Sequence, residues 1–252
     1  MIGFGLDPAG YCNGRSVLAV AKRRGLVARV EILRNCPFSK VPEKSRELDL
    51  ILANERAALQ TFAGMGRVAI DVPIDLQALP TVRAPTYLWQ ETKRSVDKAV
   101  EGMEPLASSI GHVTARFQSI FCEDRLNREI GSRIFETYPK PSLKKLLGDD
   151  WANVRRYKDK KDTSHIGTIC NALNISPRTE IKSHDDLDAV ICSLTAIALD
   201  NEIWSAADYR ELAWDVEELP RGYRLLARNP FNTITVSTAC YSEWMQDSSK
   251  TQ

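Results

Sequence analysis

The sequence predicts an α/β protein with a mixed sheet of about five strands, flanked by helices, and a helical insertion between the fourth and fifth strands. Short apolar runs typical of strands alternate with longer segments of helical periodicity. Two of these runs, residues 1–10 and 67–71, carry an aspartate on a face that is otherwise small. A third segment, residues 183–199, repeats this pattern with the periodicity of a helix. We therefore expect aspartates from three distant segments to meet.

Residues 1–10 predict a strand with one bulky face and one nearly bare face. Alternation along the strand puts Gly3, Gly5 and Asp7 on the bare face. Because glycine has no side chain, a helix can approach this face closely and bring its own side chains beside Asp7. We expect this helix to be the one predicted over residues 183–199, whose small-residue face begins at Asp188.

A hairpin and a crossover are predicted after the first strand. Residues 16–21 and 26–33 are typical of two antiparallel strands joined by a basic turn. A helix follows over residues 45–62, and then a fourth strand over residues 67–71. A strand, a helix and a strand in this order place the fourth strand parallel to the first. Both strands should then end in their aspartates at the same edge of the sheet.

An insertion of helical character is predicted over about residues 74–131, before the fifth strand. Residues 89–103 and 106–130 have helical spacing, and the whole segment is longer than a typical connection. Such a segment is a candidate lid, or a candidate surface for a homodimer or another protein partner.

The rest of the chain predicts a fifth strand, further helices and a C-terminal extension. Residues 132–136 are typical of a strand, and another helix is predicted from residues 142–147. The extension spans about residues 200–252, and nothing separates it as a second domain, so we interpret residues 1–252 as one domain. Two short strands are predicted within the extension, over residues 221–228 and 233–237.

The composition is that of an ordinary globular protein, since 43% of the 252 residues are hydrophobic and 27% are charged. The formal net charge of +1 argues against a globally basic nucleic-acid-binding protein but permits a local basic patch. The six cysteines have no zinc-type spacing. We expect a cytoplasmic protein without a membrane partner, because the N terminus lacks a secretory pattern and no apolar stretch is long enough to span a bilayer.

The acidic residues at the predicted sheet edge suggest a metal site. Asp7 and Asp71 end two strands, and Asp185 and Asp188 share one face of the last helix. Gathered carboxylates repel each other unless a cation lies among them, and oxygen ligands alone favour Mg²⁺ or Mn²⁺. Glu136, at the end of the fifth strand, is a further catalytic candidate. Ordinary roles stay open, because aspartates are common in turns and Asp185 also complements a helix dipole.

A basic run between residues 144 and 161 suggests contacts with nucleic acid, either DNA or RNA. The candidates are Lys144, Lys145, Arg155, Arg156 and Tyr157. The cationic side chains are suited to phosphates, and the tyrosine is suited to stacking on a base. A charged run of this kind is also typical of a solvated surface.

Five motifs in chain order carry a resemblance to a known family: GLDPAG (5–10), AIDVPID (69–75), CEDRLNRE (122–129), FETYP (135–139) and HDDLDAVICSLTA (184–196). They resemble the family called domain of unknown function four-twenty-nine. That family is described as predicted nucleases in the RuvC-resolvase-like branch of the ribonuclease H-like superfamily. The resemblance extends over most of the chain, to about residue 199.

The resemblance implies a ribonuclease H-like five-stranded sheet and a metal-dependent nuclease. Its implied site positions are Asp7, Asp71 and Asp188 for metal, then Asp185 and Glu136, with Arg125 and Arg128 matching arginines on the helix before the fifth strand. One departure concerns Asp71, because the resolvase branch generally has the longer glutamate there. The shorter side chain would move a metal ion or require a water molecule between them.

The leading hypothesis is hydrolysis of nucleic-acid phosphodiesters by two Mg²⁺ or Mn²⁺ ions, bridged by Asp7 and each held by Asp71 or Asp188. A second hypothesis is a catalytically silent module of the same fold that binds partners through the insertion. A third is an actin-like ATPase, which ranks last because those enzymes need two copies of the fold and this chain holds one.

Overall fold

The computed structural model describes residues 2–9, 16–38, 48–76, 93–99, 102–103, 105, 110–159, 163–177, 181–198, 221–226 and 228–249. The strands are β1 (Ile2–Asp7), β2 (Val17–Arg24), β3 (Val27–Arg34), β4 (Arg67–Ile70), β5 (Ile134–Glu136), β6 (Ile175–Pro177) and β7 (Thr233–Cys240). The α-helices are α1 (Leu48–Met65), α2 (Ser95–Ala99), α3 (Gly111–Phe121), α4 (Asp124–Glu129), α5 (Pro139–Leu147), α6 (Trp151–Val154), α7 (Ser164–Ala172), α8 (His184–Ala198) and α9 (Tyr241–Ser249).

The protein is an α/β protein with one mixed sheet in the order β5–β4–β1–β2–β3–β7–β6. Strand β2 is antiparallel to both of its neighbours, and the remaining pairs are parallel. The predicted adjacency of the first and fourth strands is confirmed. The predicted number of strands differs, because seven strands are present in the described residues.

The two additional strands extend the sheet beyond β3. Strand β7 pairs with β3 over its whole length, and β6 pairs with β7. The predicted strand over residues 221–228 is wrong for the described residues of this stretch, 221–226 and 228, where Tyr223 makes a single bridge to Glu136. Pairing with β3 satisfies backbone groups that would otherwise form an open edge.

Helices cover both faces of the sheet, and each face has its own apolar core. On one face, Phe4 and Val68 pack with residues of α1, α3 and α9. On the other face, Ala19 and Val30 pack with residues of α5, α7 and α8. The bulky residues of β1 and β4 lie in the first core, and their small residues face α8 on the other side, where Ala69 packs with Cys192 and Ala196.

The face of β1 that carries glycine packs directly against α8, as predicted from the sequence. A Cβ atom placed on Gly5 would lie 2.1 Å from the amide nitrogen of Ser193 and 2.2 Å from the carbonyl oxygen of Ala189. One placed on Gly3 would lie 2.6 Å from a methyl carbon of Ile197. These distances are far shorter than ordinary contacts, so the helix and the strand meet backbone to backbone.

The insertion and the extension are described only in part. Within the insertion, α2, α3 and α4 confirm helical structure at their own residues, but residues 77–92 and 106–109 lie outside the described residues. Most of the predicted C-terminal extension before β7, residues 199–220, also lies outside them.

Among the described helices, none combines the length and the apolar character needed to cross a membrane.

We predict that Gly5→Ala destabilises the fold, because the added methyl group would force α8 away from β1. Overpacking of this kind costs roughly 1–3 kcal/mol, and here backbone atoms would have to move. The free energy of unfolding measured with denaturant would test this. Gly64→Ala is the matched control, since a Cβ atom there meets nothing within 4 Å. That helical site should gain up to roughly 1 kcal/mol, and equal stability in the two variants would contradict close packing at Gly5.

Candidate active site

Two aspartates lie side by side where β1 and β4 end. In the parallel register, Gly5 pairs with Ala69, and the amide of Asp71 donates to the carbonyl oxygen of Leu6 at 2.9 Å. Alternation puts Asp7 on the face of Gly5 and Asp71 on the face of Ala69. Since α8 packs on this face, both carboxylates point towards the helix.

Helix α8 brings a third carboxylate to this edge of the sheet. Asp188 directly precedes Ala189, whose carbonyl group contacts Gly5, and the Asp188 side chain is buried. Burial, followed by the charges of Asp188 and Asp71, raises the pKa of Asp7 well above its usual value. The structure therefore gathers Asp7, Asp71 and Asp188 into one carboxylate cluster.

Asp188 is held by two neighbouring residues from the turn that follows α6. The hydroxyl of Tyr157 donates to Oδ1 of Asp188 at 2.8 Å, and Nζ of Lys158 lies 2.7 Å from Oδ2. Tyr157 is buried, so it is not available to stack on a base as predicted. Burial and then the charge of Asp188 raise the pKa of Tyr157, which keeps its hydroxyl protonated as a donor.

Lys158 is the main residue of the site that the sequence did not indicate. Its side chain is 44% exposed, whereas Asp188 is 1% exposed. Burial alone would lower the pKa of Lys158, but the carboxylates of Asp188, Asp71 and Asp7 raise it. The ammonium group therefore stays charged within the cluster. Only its place in a basic run was visible beforehand, and nothing in that run distinguishes Lys158 from its neighbours.

The other two acidic residues of the α8 N terminus have different environments. Asp185 is 43% exposed and lies 2.9 Å from Nε2 of His184, and it makes a smaller contribution to the raised pKa of Asp7. Asp186 is buried and accepts two hydrogen bonds from Arg34, at 2.8 Å and 3.1 Å. Asp186 is thus held by an ion pair with Arg34, whose side chain is 41% exposed, which gives it a structural role at the start of α8.

Glu136 does not join the three aspartates. It pairs in register with Ile70, so its side chain lies on the face of the sheet opposite Asp71. There it is buried and forms an ion pair with Arg94, and it accepts a hydrogen bond from the amide of Ile74 at 3.0 Å. Its position suits it to fix the loop that follows Asp71 rather than to contact a shared metal ion.

Thr137 takes the position on the site face that was expected for Glu136. Its amide donates to the carbonyl oxygen of Ile70 at 2.9 Å, which continues the β4–β5 pairing by one residue. Its side chain is fully buried, and its hydroxyl oxygen has no hydrogen-bond partner among the described residues. An unpaired buried hydroxyl is costly. The Thr137 hydroxyl oxygen is therefore available as a metal ligand on the face of the sheet that carries Asp71.

A cavity of about 900 Å³ lies next to the carboxylate cluster, and Asp71 and Lys158 both line it. The other charged or aromatic residues of its wall are Tyr138, Lys140, Lys144, Asp149, Trp151, Arg155 and Arg156. Most of the charged residues are basic, so the cavity combines a local acidic cluster with a basic rim. This distribution is compatible with the small net charge of the whole chain.

The predicted nucleic-acid contacts fall into two groups. Lys144, Arg155 and Arg156 line the cavity, and Lys145 is exposed on the same helix, α5, as Lys144. Arg125 and Arg128 are exposed on α4, whose buried Leu126 packs into the core on the opposite face of the sheet. The structure therefore does not bring those two arginines to the cavity. Lys160 and Lys161, at the end of the basic run, lie outside the described residues.

The charges and oxygen atoms of the carboxylate cluster suit a cation, although its side chains are not arranged as a complete set of metal ligands. In the described part of the chain, no three His, Cys, Asp or Glu residues are arranged as ligands of a metal ion. Yet three carboxylates meet one ammonium group, and a buried hydroxyl beside them is unpaired. Excess negative charge and oxygen donors are what Mg²⁺ and Mn²⁺ require.

Comparisons of the chain with models of protein families, with curated proteins and with solved structures found no match. The resemblance described above therefore stays a prediction.

We predict that Asp71 makes the metal-free protein less stable as pH rises. Burial is the largest cause that raises the pKa of Asp71 from 3.8 to about 7, with Lys158 opposing it. The folded state thus holds this proton more tightly than the unfolded chain, so the stabilisation is complete below the unfolded pKa and is lost as pH rises through about 7.

The measurement compares wild type with Asp71→Asn by denaturant unfolding between pH 4 and 8, in the presence of chelator. The variant should gain stability relative to wild type as pH rises through this window. A difference that is independent of pH would contradict the raised pKa.

Proposed function

We propose that this chain is a metal-dependent nuclease that hydrolyses phosphodiester bonds of DNA or RNA, with Mg²⁺ or Mn²⁺ as its cofactor. The observation that carries the proposal is a carboxylate cluster beside a cavity with a basic rim. Cationic side chains attract the phosphates of a nucleic acid, and clustered carboxylates attract the cation that phosphodiester hydrolysis uses. Asp71 and Lys158 join the two features, because both belong to the cluster and line the cavity.

The arrangement of strands also supports the proposal. In the order β3–β2–β1–β4–β5, only β2 runs against the others, and α8 packs on the glycine face of β1. A ribonuclease H-like protein is expected to have this order, with its carboxylates on adjacent strands and on this helix. We therefore include the ribonuclease H-like fold in the proposal.

The residues divide between cation binding and substrate binding. Asp7 and Asp71 would hold the cation, with Thr137 as a further oxygen donor. A bound divalent ion supplies activation of a water nucleophile and stabilisation of the leaving oxygen. Arg155 and Arg156, at the rim, would bind phosphates on either side of the cleaved bond. The walls of the cavity orient the strand, so that the bond is presented to the carboxylate cluster.

A binding module without turnover is the second candidate. It is favoured by the partners of Asp188, because Tyr157 and Lys158 engage both of its oxygens. A carboxylate that is fully engaged in the folded protein is a weaker metal ligand than a free one. Assays of cleavage and of binding, performed on the same preparations, distinguish the two candidates.

We predict that the purified protein cleaves a nucleic acid only with Mg²⁺ or Mn²⁺ and that Asp7→Asn reduces the rate more than about 100-fold. Outer-shell substitutions at metal sites cost about 10–100-fold, and a direct ligand should exceed this. The substrates would be single-stranded, duplex and branched DNA and RNA–DNA hybrids, each with either metal and with chelator.

Asp149→Asn is the matched control, because it makes the same chemical change in the cavity wall on an exposed residue. It should retain activity. Cleavage that resists chelator, or equal loss in both variants, would count against the metal-dependent mechanism. Binding without cleavage of any substrate would favour the binding module.

We predict that Arg155 and Arg156, at the rim of the cavity, strengthen the binding of nucleic acid mainly by contacting its phosphates. Replacing Arg155 and Arg156 together by glutamine should weaken binding and reduce the slope of log K against log salt by about 2, or about 1 for each phosphate contact. Fluorescence anisotropy at several salt concentrations, in chelator, measures this slope. The control replaces Arg125 and Arg128 by glutamine, which removes the same charge from the opposite face. Equal effects of the two double variants would contradict the assignment of the cavity.

A further inference from the structure

The ammonium group of Lys158 occupies a cation position within the carboxylate cluster. Nζ lies 2.7 Å from Oδ2 of Asp188, and the side chain lines the same cavity as Asp71. It reaches this place from the turn after α6, next to the buried Tyr157. Two consecutive residues of this turn therefore bind both oxygens of Asp188.

The charges in the site limit how many divalent ions it can hold. Once ionised around a cation, Asp7, Asp71 and Asp188 supply three negative charges and Lys158 supplies one positive charge, which leaves two negative charges. Asp185 is 43% exposed, so solvent screens its charge from the site. One divalent ion neutralises the two remaining negative charges. A second divalent ion would leave an excess of two positive charges in a half-buried site and would lie close to the ammonium group, which repels it.

The free oxygen donors also point to one ion. Oδ1 of Asp188 accepts the hydrogen bond from Tyr157, and Oδ2 makes no hydrogen bond to the described residues but is ion-paired with Lys158, so the remaining carboxylates of the cluster are Asp7 and Asp71, at the ends of β1 and β4. The hydroxyl of Thr137 is a third donor on the same face, independent of the acidic residues, and it has no partner among the described residues. The oxygen atoms of Asp7, Asp71 and Thr137 form one group of possible metal ligands on the sheet, whereas Asp188 is ion-paired with Lys158.

We propose that Lys158 takes the place of the second metal ion, so that the site binds one divalent ion through Asp7 and Asp71 and contacts the substrate phosphate through the Lys158 ammonium group. This inference rests on the proposed function and replaces its two-ion form with a one-ion form. Lysine is suited to this role, since its compact charge binds phosphate as a point charge. Asp188 is then a positioning residue, which holds Lys158 beside the cation.

The test is the number of Mn²⁺ ions bound per chain, measured by isothermal titration calorimetry and by electron paramagnetic resonance without substrate. Wild type and Lys158→Arg should bind one ion. Lys158→Met should bind a second ion, because the substitution removes the repelling charge and frees Oδ2 of Asp188. Circular dichroism and thermal unfolding check that each variant is folded, and Lys158→Gln, which removes the same charge, replaces Lys158→Met in the test if that variant unfolds.

Two bound ions in folded wild type, or one ion bound with unchanged affinity in folded Lys158→Met, would overturn the inference. Absence of Mn²⁺ binding by wild type would overturn it as well. If the ion count is one in wild type and two in Lys158→Met but no substrate is cleaved, the nuclease proposal fails while the assignment of Lys158 to the second cation position stands.

Discussion

The backbone contact between β1 and α8 is the constraint on which the rest of the structure depends. Because Gly5 has no side chain, the carbonyl group of Ala189 lies against the strand, and Asp188 reaches the sheet edge one residue earlier on the helix. A larger residue at Gly5 would displace α8 as a rigid unit and carry Asp188 away from Asp7. The geometry of the site is therefore set by the absence of a side chain at Gly5, two residues before Asp7.

The same close approach brings negative charges together, and the protein offsets their repulsion with a positive charge from outside the sheet and α8. Three carboxylates are brought together, and burial followed by the charges of Asp188 and Asp71 raises the cost of ionising Asp7. The compensating charge comes from Lys158, in the turn after α6 and not from the sheet. Tyr157 fixes the orientation of Asp188 by donating a hydrogen bond to its Oδ1. The order of this turn and the charge state of the site are thus coupled, although they belong to separate parts of the sequence.

The parts of the fold predictable from sequence are those with a local signal. The period of two in β1, with glycine on one face, specified both the strand and the side that its helix covers. Glu136 was named only from its place at a strand end, which does not say which face of the sheet its side chain takes, and a shift of one residue in register reverses that face. The contacts of Lys158 and Tyr157 with Asp188 could not be predicted, since a charged run has the same sequence pattern whether its side chains face solvent or the interior. The pairing of β7 with β3 joins distant segments and leaves no local pattern.

The strand order has a consequence for how copies of this chain could associate. The long strand β3 lies inside the sheet because β7 covers it, and the two outermost strands, β5 and β6, have only three residues each. The outer side of β5 is occupied in addition by residues 222–224, through hydrogen bonds to both backbone groups of Glu136. Short and occupied edges offer little template for adding a strand from another molecule. Within the described residues, the edges of the sheet are therefore poor sites for a homodimer, and loss of β7 would expose β3 as a long unpaired edge.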